Sequence, residues 1–241
     1  MKRFSLLAAL CCLLTVAVQA ETRIVAGDII PFAYVENGAS KGVAYDLIKE
    51  MAKHTGHSGK IEVMPLARAL DIAMKEPNVL VIPPAKTPAR EPHYTWITDL
   101  MDEKFILLAK KDSKVDISSV EAAKGLSVGV MRASAGAKLA EGTGFSKIED
   151  VVNEELNAKK LLGGRLDSWL VSLNAGMFAL RKIGMGPDAV KRGAVVQAFK
   201  LYLAASPNFD KAEAAKWVAA LETIKQNGSY EKILRNYQYE R

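Results

Sequence analysis

Cysteine is almost missing from this chain. Its only two, Cys11 and Cys12, are adjacent and lie within the first twenty residues. The rest of the chain therefore has no disulfide, no thiolate nucleophile and no cysteine-based metal site. Histidine is scarce as well, with three in the whole sequence. His54 and His57 are three residues apart but lack an acidic or cysteine partner, and both are expected in solvent beside a glycine turn. His93 has no serine-based motif around it, and no metal or cofactor is expected. There is no Walker loop, no G-x-G-x-x-G, no H-E-x-x-H and no G-x-S-x-G elbow. Runs of five like charges are absent too. The formal charge is +6, part of it from Lys2 and Arg3, and the remainder is spread out. Nucleic acid is not an expected partner, whereas a mild positive excess suits anionic ligands.

What is present begins with a leader. Lys2 and Arg3 form a positive start, Phe4 to Val18 is apolar, and Val18-Gln19-Ala20 is a small-residue cleavage site. The apolar run is shorter than the roughly 20 residues of a spanning helix. Leu10 before Cys11 fits a lipoprotein poorly. Export with cleavage after Ala20 is expected, and hence a periplasmic protein. Residues 21–241 suffice for a sizeable core or two small ones.

After the leader, strand-like and helix-like stretches alternate. Arg23 to Ala26 reads as a strand. Tyr45 to Thr55 reads as a helix with Leu47, Ile48, Met51 and Ala52 on one face and Gly56 as its stop. Lys60 to Met64 is a strand, Ala67 to Met74 a helix ended by Pro77, and Val79 to Ile82 a strand. This β-α-β-α-β order is that of a parallel sheet covered by helices. The pattern then restarts. Strands are read at Phe105 to Ala109, Leu126 to Met131 and Leu166 to Val171. Helices are read at Ser118 to Ala123 with Ser118 as cap, near Ala133-Ser134-Ala135-Gly136, at Asn157 to Leu162 and at Ser172 to Ile183. Ala194 to Ala204 is extended, and helices at Lys211 to Gln226 and Ser229 to Tyr237 close the chain. Two α/β units follow, with strand-like crossings near 100–105 and 197–203.

Several local motifs appear in one order. They are Gly27-Asp28 with Pro31-Phe32 and Tyr34, Gly42-Val43-Ala44-Tyr45-Asp46-Leu47, and Thr87-Pro88-Ala89-Arg90-Glu91 with Trp96. Val128-Gly129-Val130 with its small-residue turn, Gly164-Arg165-Leu166-Asp167 and Gly228-Ser229-Tyr230-Glu231-Lys232-Ile233 follow. In this the chain resembles the family 3 solute-binding proteins of bacterial uptake systems, the polar amino-acid-binding type. The resemblance covers essentially all of the chain after the leader. It implies two Rossmann-like α/β lobes joined by a two-strand hinge, the type 2 periplasmic-binding or Venus-flytrap fold. Lobe 1 is expected to hold residues 21–102 and 200–241, and lobe 2 residues 103–199. Ligand is expected between lobes that close by hinge motion.

The resemblance also implies the site. Arg90 is expected to hold a ligand carboxylate, for which a guanidinium fork is the right shape. The alternative is an ion pair with Glu91. Thr87 is expected to cap its helix or donate to the ligand. Asp28 stands where the family places an acid for a ligand amine, or is a turn residue. The first loop is trimmed, so Phe32 or Tyr34 is left as the stacking aromatic. Arg68 faces either the cleft or solvent, and Lys86 is expected in solvent. Pro83-Pro84-Ala85 gives the wall around Ala85 few donors, because proline lacks an N–H. In the second lobe Arg132, Ser134 and Ala135 form an anion turn at a helix start, with Ser134 alternatively a plain cap. The family's ammonium-binding acid falls on Ser172, with Asn174 close by, and neither is charged. An ordinary amino acid is thereby put in doubt, since a buried ammonium without a partner costs several kcal/mol. Trp169 is expected in the core.

These expectations favour a non-enzymatic, monomeric periplasmic protein. It captures a carboxylate-bearing solute, an amino acid or related organic acid, and hands it to an ABC-type permease. Two alternatives stay open: a sensory subunit presenting ligand to a membrane receptor, and a dehydratase-like enzyme on the same scaffold, which needs a cleft acid.

Overall fold

A computed structural model describes residues 22–241; the leader and its cleavage site lie outside the described residues. The chain runs β1 (Arg23–Gly27), β2 (Tyr34–Glu36), β3 (Ala39–Lys41), α1 (Val43–Thr55), β4 (Ile61–Met64), α2 (Leu66–Lys75) and β5 (Val79–Ile82). A short 3-10 turn at Glu91–His93 leads to β6 (Thr95–Lys110). Then come α3 (Val120–Ala123), β7 (Ser127–Met131), α4 (Ala135–Thr143), β8 (Lys147–Val151), α5 (Glu154–Leu162), β9 (Ser168–Ser172) and α6 (Leu173–Lys182). The last elements are β10 (Val190–Ala205), α7 (Lys211–Gln226) and α8 (Ser229–Asn236).

All strands except the small β2–β3 hairpin join one sheet in the order β4-β1-β5-β10-β6-β9-β7-β8. Its centre is an antiparallel ribbon of the two long strands, β6 and β10, paired from Thr95↔Ala205 to Lys110↔Val190. Irregular register at four places, two of them between Arg192 and Gln197, lets the ribbon twist strongly. One end joins β5 through Ala204↔Val81, with β1 and β4 parallel beyond it. The other end joins β9 through Phe105↔Ser172 to Leu108↔Trp169, with β7 and β8 parallel beyond that.

Side-chain alternation along these strands builds a core on each face of each end. At the first end Ile24, Leu80 and Ile82 meet Leu47, Ile48 and Met51 of α1 and Trp217 and Leu221 of α7. Burying each such aliphatic side chain contributes about 1.5–3 kcal/mol. The opposite face packs Val25, Val79 and Val81 on Ala69 and Ala73 of α2. At the second end Ile106, Leu108 and Trp169 pack on α5 and α6, while Leu107, Val128 and Val130 pack on Ala137 and Ala140 of α4. Among the described residues no core cluster draws from both ends of the ribbon. This is the expected fold, two α/β lobes sharing two crossing strands.

Local signals set the helix ends. Gly42 starts α1 at φ 132°, where an added Cβ would lie 2.4 Å from the Phe32 carbonyl oxygen. That carbonyl accepts from the N–H groups of Ala44 and Tyr45. Tyr237 fastens the same turn: its hydroxyl accepts from Gly42 N–H at 2.9 Å and donates to Asp46 at 2.7 Å. Gly56 closes α1 in the left-handed region.

Four details differ from the sequence reading. The β2–β3 hairpin and β8 were not foreseen. Ser119, not Ser118, caps α3, because the Ser118 hydroxyl bonds to Asp116 instead. His54 is exposed as expected, but His57 is half-buried, with its ring 5.8 Å from that of Trp217. Among the described residues no helix is long and apolar enough to cross a membrane.

Candidate functional site

Parallel strands in an open α/β sheet end where ligands bind. Here β1 and β5 end side by side in the first lobe, and β7 and β9 in the second. The expected site residues follow those four ends, apart from Ser172, the last residue of β9, and Arg68 after β4.

In the first lobe Asp28 is exposed just past β1, its N–H bonded to the Met64 carbonyl at 2.7 Å. After β5 the Pro83-Pro84-Ala85 wall is fixed to β10: Tyr202 N–H donates to the Pro84 carbonyl at 3.0 Å, and Ala85 bridges to Leu201. Arg90 curls back so that Nη1 donates to the Ala85 carbonyl at 3.2 Å. Glu91 is taken by Lys86 at 2.7 Å, so Arg90 has no acidic partner among the described residues. Lys86 is thus neutralised and lies over the Trp96 ring. Thr87 contributes its carbonyl to the turn, accepting from Arg90 and Glu91 N–H. Its hydroxyl makes no hydrogen bond among the described residues and caps nothing, so the expected side-chain cap is absent. Arg68 is exposed in the first turn of α2.

The two aromatic candidates are placed otherwise than expected. Phe32 is 3% exposed and belongs to the first lobe's core, which leaves no ring face for a ligand. Tyr34 is 4% exposed and meets Phe178 of α6 edge-on, ring centroids 5.7 Å apart. It is a contact between lobes, and burial pushes its hydroxyl pKa up.

In the second lobe the turn after β7 carries Ala133 at φ 56°, a left-handed position unusual for alanine. Ser134 caps α4, its hydroxyl accepting from Ala137 N–H at 3.1 Å. Ala135 is exposed at the helix start, where first-turn N–H groups and the helix dipole favour an anion. Arg132 turns away to Asp150, Nε to Oδ2 2.5 Å, and that pair is solvent-exposed. Asn174 is 3% exposed and fully used: its amide donates to Glu103 at 3.0 Å and to the Glu240 carbonyl, and its oxygen accepts from Glu240 N–H. It ties α6 to the chain's C-terminal residues instead of waiting for a ligand. Trp169 is core, as expected, with Nε1 bonded to Glu154 at 2.9 Å.

Three residues on the crossing strands lie near these elements and were not foreseen. Phe105 and Phe199 stack with centroids 5.1 Å apart and planes at 27°. A Cβ placed on Gly136 would lie 3.4 Å from both Phe105 Cε1 and Ser134 Oγ. Phe199 is two residues from Leu201, the partner of Ala85. The stacked pair therefore floors the space between the anion turn and the Arg90 loop. The third is Glu103, opposite Phe199 in the ribbon and 4% exposed. Burial pushes its pKa up, against hydrogen bonds from Lys104 N–H, Asn174 and Ser172. Ser172 Oγ is buried and makes no hydrogen bond of good geometry, although it lies close enough to Glu103 to favour that residue's charged form. Sequence held no local signal for these three, because they sit within strands and acquire meaning only when the ribbon twists.

Among the described residues, these elements offer a guanidinium without a counterion, a free hydroxyl, a helix start and an aromatic floor. Such a set can hold a small polar solute by its charged ends. Bacterial extracellular solute-binding proteins, family 3, match residues 22–240. The arginine-, lysine-, histidine-binding protein ArtJ of Geobacillus stearothermophilus is similar in structure at TM-score 0.69, with 18% identity, covering 92% of this chain and 96% of that one. A histidine kinase sensor domain with similarity to periplasmic binding proteins reaches TM-score 0.71 at 18% identity, covering 90% and 95%. An ancestral amino acid-binding protein, described as a precursor of cyclohexadienyl dehydratase, reaches 0.69 at 22%, covering 90% and 94%. No curated protein matches the chain in sequence. With a family match across nearly all of its described length, the chain belongs to the bacterial extracellular solute-binding proteins, family 3.

Proposed function

We propose that this protein captures a small carboxylate-bearing solute, an amino acid or a related organic acid, between its lobes in the periplasm and delivers it to an ABC-type permease. The observation that carries the reading is Arg90. Its guanidinium lies in the loop after β5 with, among the described residues, only the Ala85 carbonyl as hydrogen-bond partner, while the neighbouring acid is consumed by Lys86. A carboxylate is its natural complement, in a bond worth about 1.5–3 kcal/mol net. Thr87 and the Ser134–Ala135 turn add donors from either side, and Asp28 borders the same cleft. In this reading Phe32 and Asn174 are structural, Arg132 is a surface ion pair, and Arg68 is peripheral. In this reading lobe 1 holds residues 21–102 and 200–241 and lobe 2 residues 103–199. The protein acts as a monomer without turnover.

A thermal-shift screen of residues 21–241 against L-amino acids, dicarboxylates and small organic acids tests the proposal. Ligand bound only by the native state raises the midpoint by mass action. A specific solute is expected to raise it, Arg90→Ala to abolish the rise, and the recovered solute to be chemically unchanged. A rise that survives Arg90→Ala removes the anchor, and a converted solute replaces capture by turnover.

A further inference from the structure

Residues 237–241 follow α8 and belong to neither helix nor strand, yet they bond to both lobes. Gln238 turns the chain at φ 50°, and Tyr239 N–H closes α8 on the Leu234 carbonyl at 2.9 Å. Toward the first lobe the anchors are deep. Tyr237 and Tyr239 pack against the core built by α1 and α7. The Tyr237 hydroxyl holds Gly42 and Asp46, and the Tyr239 hydroxyl donates to the Asp102 carbonyl. Arg241 pairs with Glu231 of α8. Toward the second lobe the hold is made by side chains, most of them reaching for backbone. Asn174 takes both backbone groups of Glu240, its Nδ2 donating to the carbonyl at 2.9 Å and its Oδ1 accepting from the N–H at 2.8 Å. Buried Glu103 fixes which way that amide faces, because it accepts from the same Nδ2 at 3.0 Å. The Glu240 carboxylate pairs with Arg192 of β10. Arg181 Nη2 donates to the Tyr237 carbonyl at 3.1 Å, and Lys104 Nζ to the Arg241 carbonyl at 3.2 Å.

We propose that residues 237–241 are a strap, fixed to the first lobe and gripping the second through Asn174, Arg181 and Arg192, that restrains the separation of the lobes before a ligand arrives. The two ends of the hold differ in kind. Rings packed in a core stay where they are, whereas hydrogen bonds and a part-exposed ion pair can be exchanged for water at small net cost. The second-lobe side is therefore the side that lets go. The grip is also too wide to act as a pivot. Asn174 and Arg181 are two helical turns apart, about 10 Å by helix rise, and Arg192 stands on a different element. Turning the second lobe away from the strap stretches at least one of these bonds. Lobes held this way sample fewer relative angles, so less ordering is left for a ligand to impose. The strap shares no residue with the Arg90 loop, and the proposal stands apart from the identity of the solute.

Residues 21–241 contain no cysteine, so pairs of spin labels can be placed on introduced ones. Lys53→Cys on α1 with Lys159→Cys on α5 reports the distance between lobes, and Lys138→Cys on α4 with Lys159→Cys reports one within the second lobe; all three lysines are exposed. Double electron–electron resonance without ligand compares residues 21–241 with residues 21–239, which lack Glu240 and Arg241. The shortened chain is expected to give a broader between-lobe distribution extending to longer distances, with the within-lobe distribution unchanged. An unchanged between-lobe distribution overturns the proposal. So does equal broadening of both pairs, which makes these residues ordinary support for the fold. If the shortened chain does not fold, Glu240→Pro in the full length takes its place, since it removes the N–H held by Asn174 and the partner of Arg192, and it is judged by the same two distributions. Wild type supplies a further check by amide hydrogen exchange. Protection of the Glu240 N–H is expected, and exchange at the rate of an unstructured chain overturns the strap whichever variants fold.

Discussion

Glu154, the first residue of α5, shows how burial shapes the chemistry of single residues here. Its Oε2 accepts from both Trp169 Nε1 and Asn157 Nδ2, and burial pushes its pKa above the ordinary 4.5. The folded state therefore binds more protons than the unfolded chain between the ordinary and the raised value, and stability falls as pH rises through that window. Glu154→Gln keeps an acceptor for Trp169 and removes the charge. It is expected to be more stable than wild type near neutral pH, with the gap closing as pH falls toward 4.5, read from thermal midpoints across that range. A gap that widens on acidification contradicts the assignment. Half-buried Glu36 behaves in the opposite way, its pKa lowered to about 2 by hydrogen bonds from Lys182 and Lys41. The loop positions of Arg90 and Ser134 were legible in the sequence, since each follows a strand end within a short motif. Phe32 was misread because a motif cannot show which way a ring points, and here it points into the core.

Helix α6 links the two lobes at the scale of an element. Along one side it presents Asn174 to Glu240, Phe178 to Tyr34, Arg181 to the Tyr237 carbonyl and Lys182 to Glu36. The spacing of these four residues follows the helical repeat, so one helix face carries the contact. An aromatic edge contact contributes about 0.5–1.5 kcal/mol beyond its buried area. Phe178→Ala is therefore expected to loosen the shut form and speed ligand release several-fold, measured by stopped-flow displacement. An unchanged release rate would separate α6 from closure. Helix positions were largely readable from periodicity and caps, α7 to the residue. The β2–β3 hairpin was signalled by Asn37-Gly38 at φ 53° and 76°, but its three-residue strands are too short to show alternation. Strand β8 was hidden because Lys147, Glu149 and Asp150 break its apolar pattern.

The whole molecule is one sheet with separate cores at its two ends, joined through the ribbon of β6 and β10. The sequence showed the alternation that makes two α/β units, yet gave the crossing strands only as short extended stretches. Each in fact runs sixteen residues, because one strand serves both lobes and changes its packing partners midway. That change places Phe105, Phe199 and Glu103 at the crossing between the lobes, and under the proposed function a ligand bridging the lobes is expected to shift the equilibrium toward a shut form. Small-angle X-ray scattering of residues 21–241, without and with a saturating amount of the solute that gives the largest thermal shift, tests this most directly. A smaller radius of gyration with the solute is the predicted result; an unchanged radius at full occupancy would contradict closure of the two lobes on their ligand.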